Sequence, residues 1–324
     1  MNYLIWRQYR KLIIFSGAAL IAYAIFLIIS GLQINHAYHH ALAVHTTQYF
    51  TINQLIHRLV QVSIAVPLLI GLFWGVPLVA KEYQDDTNKL AWTQSVSRRQ
   101  WLSAKLGWLI AAAAVYGAVT AAAVTYWSQT LSTINGQRFA PLNFDIHSLM
   151  PVVYAVFAAA LGAAIGAWLK QVLWALAVTL FVFVALQYVV ANFVRPHYEA
   201  PITHVHSFNA FRSTSDFSSV ASSGGWQVSQ KFVEPKLNPK NCQSQSTTQI
   251  SGNAHADGQV CGTPGYCGKL PANTTNPKCA AKIITVYQPA NRYWPFQFIE
   301  AAIYLALTAI AVAATYLFVL KRDA

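Results

Sequence analysis

The chain has 324 residues, 55% of them hydrophobic and only 10% charged, with a mean hydropathy of +0.38, which places it outside the range of a soluble domain. Its formal net charge of +12 is not a nucleic-acid signal, because half of the 22 basic residues flank apolar runs on one side, where they would meet anionic lipid head groups. A soluble domain and a nucleic-acid-binding protein are both excluded, and an integral membrane protein is expected.

Crossing about 30 Å of hydrocarbon takes roughly 20 apolar residues whose backbone amides bond internally. Six segments meet that test, at 12–32, 59–80, 106–127, 149–169, 172–194 and 298–320. The first is longer than a signal-peptide core and is expected to stay as an uncleaved anchor. Ahead of it, MNYLIWRQYRK interleaves aromatic and basic residues, which fits either a short helix in the membrane interface or a plain aromatic, positively charged anchor. In the second span, Pro67, Gly71, Gly75 and Pro77 predict a kink or locally freed backbone groups. The fourth contains AAALGAAIGAW, where Gly162 and Gly166 form a small-xxx-small pair, suited to packing within the chain or, alternatively, to a dimer face. Only Lys170 and Gln171 separate the fourth and fifth spans, so these form a tight hairpin.

Lys and Arg in the short segments set the orientation. One side holds Arg7, Arg10, Lys11, Lys81, Lys89, Arg98, Arg99, Lys105, Lys170, Lys321 and Arg322, whereas the opposite short loops hold only Arg58 and Arg138. Both termini are therefore expected in the cytoplasm of a multi-pass plasma-membrane protein, and the loops at 33–58, 128–148 and 195–297 outside. All four cysteines, Cys242, Cys261, Cys267 and Cys279, fall in the last of these, where disulfides persist. Without a CxxC there is little to support a zinc site, and three pairings remain open. The expected architecture is an all-α polytopic membrane protein: 1–194 with the first five spans, a small disulfide-stapled, loop-rich extracellular domain at 195–297 with a strand-like KIITVYQ at 282–288, and 298–324 with the sixth span and a cytoplasmic tail.

The connector AKEYQDDTNKLAWTQSVSRRQWLSAKL, 80–106, is unusually charged for so apolar a chain. Thr87 can cap a short helix bearing Leu90 and Trp92, and Ser97 with Gln100 forms a capping box that starts the third span. A Trp ringed by charges has the composition of an interface anchor; the bland alternative is a solvated, positive-inside loop.

Glu82, Thr87, Leu90, then Ser95, Val96, Ser97, Arg98 and Lys105 resemble the first intracellular loop of type-2 ABC transporter permeases. A bacterial subgroup is closer still, matched by GVPLVAKE, by LAWTQSVSRRQW ending at Lys105, and by YQPANRYWPFQFIE at 287–300. Asp86 and Ser95 depart from the usual Gly and Pro. The resemblance covers the six-span plan with its large outer loop, as in ABCG-like transporters. It implies a coupling helix that docks on a separate ABC ATPase subunit. Glu82 would orient the docking turn, Thr87, Leu90 and Trp92 would make the contact, and Arg98 and Arg99 would answer acidic groups or lipid phosphates. The same resemblance implies a homodimer or heterodimer of permeases, with ATP and Mg on the partner. The chain itself has no GxxxxGK[ST], the nearest decoy being GTPGYCGKL at 262–270, so no catalytic residue or cofactor is assigned to it.

All ten histidines lie in or beside the outer loops, and His36, His39 and His40 have helical spacing, yet no carboxylate or Cys accompanies them and no metal site is assigned. Glu300 is the only acidic residue inside a predicted span, with Arg292 or Tyr293 as partner candidates, and is expected to serve an outer gate or a structural role. Gln61, Ser63, Gln187 and Asn192 either line a path or bridge helices. The expected function is the membrane-spanning subunit of an ABC exporter. A membrane-anchored receptor or scaffold with a ligand-binding outer domain is the alternative, and a metal-dependent membrane enzyme ranks last.

Overall fold

The computed structural model describes residues 2–44, 63–85, 97–135, 139–207, 224–233, 259–262, 266–269 and 282–321. Helices dominate: α1 (Asn2–Val44), α2 (Ser63–Gln84), α3 (Arg98–Asn135), the short α4 (Pro141–Ile146), α5 (Met150–Leu169), α6 (Val172–His197) and α7 (Tyr293–Lys321). Six of these, all but α4, are long and apolar enough to cross a membrane, and each contains one of the predicted spans or most of it. The helices overrun the apolar segments at several ends. α3 begins at Arg98 because Ser97 caps it, accepting the Gln100 N–H on its Oγ at 3.3 Å, as the capping-box pattern predicts. α6 continues past Val194 through a π turn at Val190–Val194 and a 3-10 turn at Arg195–His197.

The chain divides into two compact units, Met1–Tyr198 with Arg292–Ala324, and Glu199–Asn291. In the first, α5 is the central helix and packs against α2, α3, α6 and α7, while α1 lies on α3. Small residues let this happen. A Cβ on Gly162 would sit 2.4 Å from the Gly71 carbonyl oxygen, one on Gly75 2.4 Å from that of Ala159, and one on Gly166 2.8 Å from that of Val76. The small-xxx-small face of α5 is thus used within the chain, against α2. The predicted disturbance of α2 appears there too, as a π turn over Gly71–Gly75. Lys170 takes a left-handed conformation with φ 56° and Gln171 is extended, giving the tight α5–α6 hairpin. Hydroxyl pairs bridge the less enclosed α1 to its neighbours, Ser16 to Tyr116 at 3.0 Å and Tyr23 to Ser63 at 2.5 Å.

The second unit is β-structured where it is described. β1 (Ile202–Ser207), β5 (Lys282–Gln288) and β2 (Trp226–Val233) form an antiparallel sheet in the order β1-β5-β2, with β3 (Gln259–Gly262) and β4 (Tyr266–Lys269) as a separate hairpin. β5 occupies the residues of the KIITVYQ run, whose β-branched side chains suit a central strand. Cys261 and Cys267 hold opposed register positions in the hairpin. Their side chains, and the whole of Cys242 and Cys279, lie outside the described residues.

The glycine contacts give a contrast. Gly162→Ala is expected to cost about 2 kcal/mol through overpacking, whereas Gly107→Ala, with nothing within 4 Å of its added methyl group, should leave stability unchanged or slightly raised. Thermal unfolding of the two variants in one detergent checks this.

Candidate functional site

Two clusters of buried charge lie in the helical unit, one at each end of the bundle. The first forms the base of the connector. Trp101 and Lys105 are one helical turn apart on α3 and share a face. Lys105 is 3% exposed and ion-paired with Glu82 of α2, itself 7% exposed, while its Nζ lies 4.4 Å from the centroid of the Trp101 ring. Burial strips both charges of water, so each depends on the other, and removing one partner of such a pair costs about 3–5 kcal/mol. Next to it, Gln84 Oε1 accepts the N–H of Val172, one of the orphan amides that open α6, at 3.2 Å. The Lys170 ammonium lies 4.7 Å from the Tyr83 ring centroid. α2, α3 and the α5–α6 turn are therefore fastened to one another where the connector leaves and re-enters the bundle.

Of the residues expected to couple to an ATPase, Glu82 is thus buried at this base, Arg98 is partly exposed and Arg99 is exposed at the start of α3. Thr87, Leu90 and Trp92 lie outside the described residues. His36 falls on helical backbone in α1 together with His39 and His40, but the side chains of the latter two are not described.

The second cluster surrounds Glu300, which is fully buried on α7. Its partner is Arg195, not Arg292 or Tyr293 as the sequence suggested, because the turns that prolong α6 carry Arg195 across to α7. Arg195, 1% exposed, grips the carboxylate with both prongs of its fork, Nε to Oε2 at 2.8 Å and Nη2 to Oε1 at 2.7 Å. The same Nη2 donates to Asp145 Oδ1 of α4, and Nη1 reaches the Pro141 carbonyl at 3.4 Å. The Tyr154 hydroxyl of α5 lies between the two acids, 2.5 Å from Glu300 Oε1 and 3.0 Å from Asp145 Oδ1. Tyr198 donates to Glu300 Oε2 at 3.3 Å.

Aromatic rings close the site. The Arg195 guanidinium carbon lies 4.4 Å from the Phe144 ring centroid, and Phe139 packs edge-on against Phe296 and Tyr293. Gln297 Nε2 reaches the Phe144 carbonyl at 3.2 Å, and Ser148 bonds the Tyr293 hydroxyl at 3.0 Å. Burial pushes the Asp145 carboxyl up to about 6, with Glu300 adding to the rise and Arg195 opposing it. Sequence reasoning found Glu300 but missed Arg195 and Asp145. Both stand just outside the apolar runs, and the available signal was an acid embedded in an apolar Phe144–Asp145–Ile146 triplet.

Of the candidate path residues, Ser63 is tied to Tyr23, Asn192 donates to the Tyr188 carbonyl at 2.9 Å, and the Gln187 amide nitrogen is buried with no hydrogen-bond partner among the described residues. Gln61 lies outside the described residues.

The family model described as ABC-2 membrane transporter related matches residues 17–195, more than half of the chain. The protein belongs to that family, a multi-pass membrane protein of the ABC-2 permease class. Neither a curated protein nor a solved structure matches it.

Arg195→Met leaves the buried acids Asp145 and Glu300 without their cation and is expected to destabilise by about 3–5 kcal/mol. Combining it with Glu300→Gln should cost less than the two single changes added together. A double-mutant cycle on thermal unfolding measures the coupling; strict additivity would mean that the pair contributes nothing.

Proposed function

We propose that this chain is the membrane-spanning subunit of an ATP-driven ABC exporter, coupled through the connector at 81–105 to a separate ATPase subunit. The observation that carries the reading is the buried Glu82–Lys105 pair, which joins the two helices flanking the connector. A docking segment transmits force only if its two roots cannot move apart, and this base also clasps the α5–α6 turn. Family membership supports an ATPase partner. Glu82 then acts by bracing the connector rather than by touching the partner. Thr87, Leu90 and Trp92 make the contact, and Arg98 and Arg99 answer acidic groups or lipid phosphates.

ATP and Mg belong to that partner, and two permease chains, identical or different, complete the transporter. Both termini and the connector face the cytoplasm at the plasma membrane. The unit between α6 and α7 is extracellular and stapled by its four cysteines, and the Glu300 cluster closes the outer end as a gate.

Native pulldown from membranes is expected to recover an ABC ATPase, and a pulldown that never does so removes the exporter reading. With both subunits present, Glu82→Ala and Trp92→Ala should each abolish most efflux while leaving the protein inserted. The exchange Glu82→Lys with Lys105→Glu should restore part of it, which a purely surface role for Glu82 would not allow. Thiol labelling of the denatured, unreduced protein is expected to find no free cysteine.

A further inference from the structure

The Glu300 cluster has more negative charge than its cation can balance. Arg195 supplies one positive charge against the two carboxyl groups of Asp145 and Glu300, all three of them at most 8% exposed. With both acids ionised, the set has a net charge of minus one in an apolar surrounding, an arrangement that desolvation opposes.

Hydrogen positions lead to the same result. The Tyr154 hydroxyl has a single hydrogen, yet its oxygen stands 2.5 Å from Glu300 Oε1 and 3.0 Å from Asp145 Oδ1. It can donate to only one of them. Arg195 Nη2 also stands 3.4 Å from the Tyr154 oxygen, but its two hydrogens are directed at Glu300 Oε1 and Asp145 Oδ1, so the other oxygen pair has no hydrogen between its members unless a carboxyl group brings its own. Glu300 already takes both prongs of Arg195 and the Tyr198 hydroxyl, which suits a carboxylate. Asp145 shares only Nη2 of the same guanidinium. The missing hydrogen therefore belongs on Asp145.

We propose that the cluster is a proton-binding site: one proton on the Asp145 carboxyl is donated to the Tyr154 oxygen, Tyr154 donates to Glu300, and the whole set is neutral. The other titratable groups near the cluster are Tyr198, Tyr304 and His147. Tyr198 and Tyr304 are phenols, which burial holds in the neutral form in the case of Tyr198. His147, at the end of α4, has its Nδ1 2.5 Å from the Asn143 carbonyl oxygen. The raised proton affinity of Asp145, with a midpoint of about 6, agrees with the hydrogen count.

The sign of the pH dependence follows. The folded protein binds this proton more tightly than the unfolded chain, whose Asp titrates near 3.9. Stability from this group is complete below that value and is lost as pH rises through about 6. At higher pH the ionised cluster repels itself, and the α4 contact with α5, α6 and α7 loosens.

The test uses the full chain in lipid nanodiscs. From about pH 8 to about pH 5, wild-type thermal stability is expected to rise by several degrees, and infrared difference spectra should show one protonated-carboxyl band appearing per chain. Asp145→Asn, which keeps the neutral form at every pH, should lose both the band and most of the pH dependence. Should that variant not fold, Glu300→Gln decides: Asp145 then has Arg195 to itself, and the band should appear only at lower pH. A pH profile and band unchanged in either variant would overturn the proposal. So would a wild-type stability that follows sodium or potassium concentration at fixed pH, which would assign the surplus charge to a bound cation.

Discussion

The helical unit depends on one steric constraint, the contact between the small-residue face of α5 and the π turn of α2. Apolar side chains gain little by leaving lipid for protein, so helices in a membrane are held by close packing and by polar contacts. At Gly71, Gly75, Gly162 and Gly166 backbone meets backbone at distances that leave no room for a methyl group. A π turn widens the helix and frees carbonyl groups, which is tolerable where a neighbouring helix covers them closely. The glycines of α2 and those of α5 are thus two halves of one feature.

Polar contacts divide between the ends of the bundle. At one end Glu82 and Lys105 join α2 to α3; at the other Arg195, Asp145, Glu300 and Tyr154 join α4, α5, α6 and α7. The contact surfaces between these clusters are mostly Ala, Val, Leu and aromatic side chains. Charges placed at mid-bilayer would be costly, whereas near the ends they are enclosed by protein and aromatic rings at a smaller penalty. The two clusters differ in balance. The first pairs one acid with one base, while the second has an acid in excess.

Sequence was most informative where a single local rule decides. Apolar run length found the six spans, Ser97 marked the start of α3, two polar residues defined the α5–α6 hairpin, and the strand-like KIITVYQ run found β5. Glycine spacing identified the face of α5 but left its partner open between another helix of the chain and a second chain. What stayed hidden was long-range pairing. Arg195 lies 105 residues from Glu300 along the chain, and Asp145 another 50 residues before Arg195, so neither proximity nor periodicity connects them. Arg292 was a natural candidate because it is nearby in sequence, but it ends the 3-10 turn that precedes α7, well before Glu300. The turns that extend α6 beyond its apolar run are what deliver the guanidinium instead.

The glycine contact also restricts how motion could pass between the two ends. Sliding α2 along α5 by one residue, about 1.5 Å of rise, would drive side-chain carbons into slots now filled by carbonyl oxygens. A register as open as the present one recurs only after a full glycine repeat of four residues, about 6 Å away. A displacement of α2 at the connector therefore has to carry α5 with it. α5 is an unbroken helix over Met150–Leu169, with Gly166 against α2 near the connector and Tyr154 between the two acids at the far end. Under the coupling reading, a push on the connector reaches the Asp145–Glu300 cluster as a rigid shift of Tyr154. A cluster held by one shared hydrogen and one divided guanidinium group is sensitive to such a shift, because moving the Tyr154 oxygen alters its distance to both carboxyl groups at once.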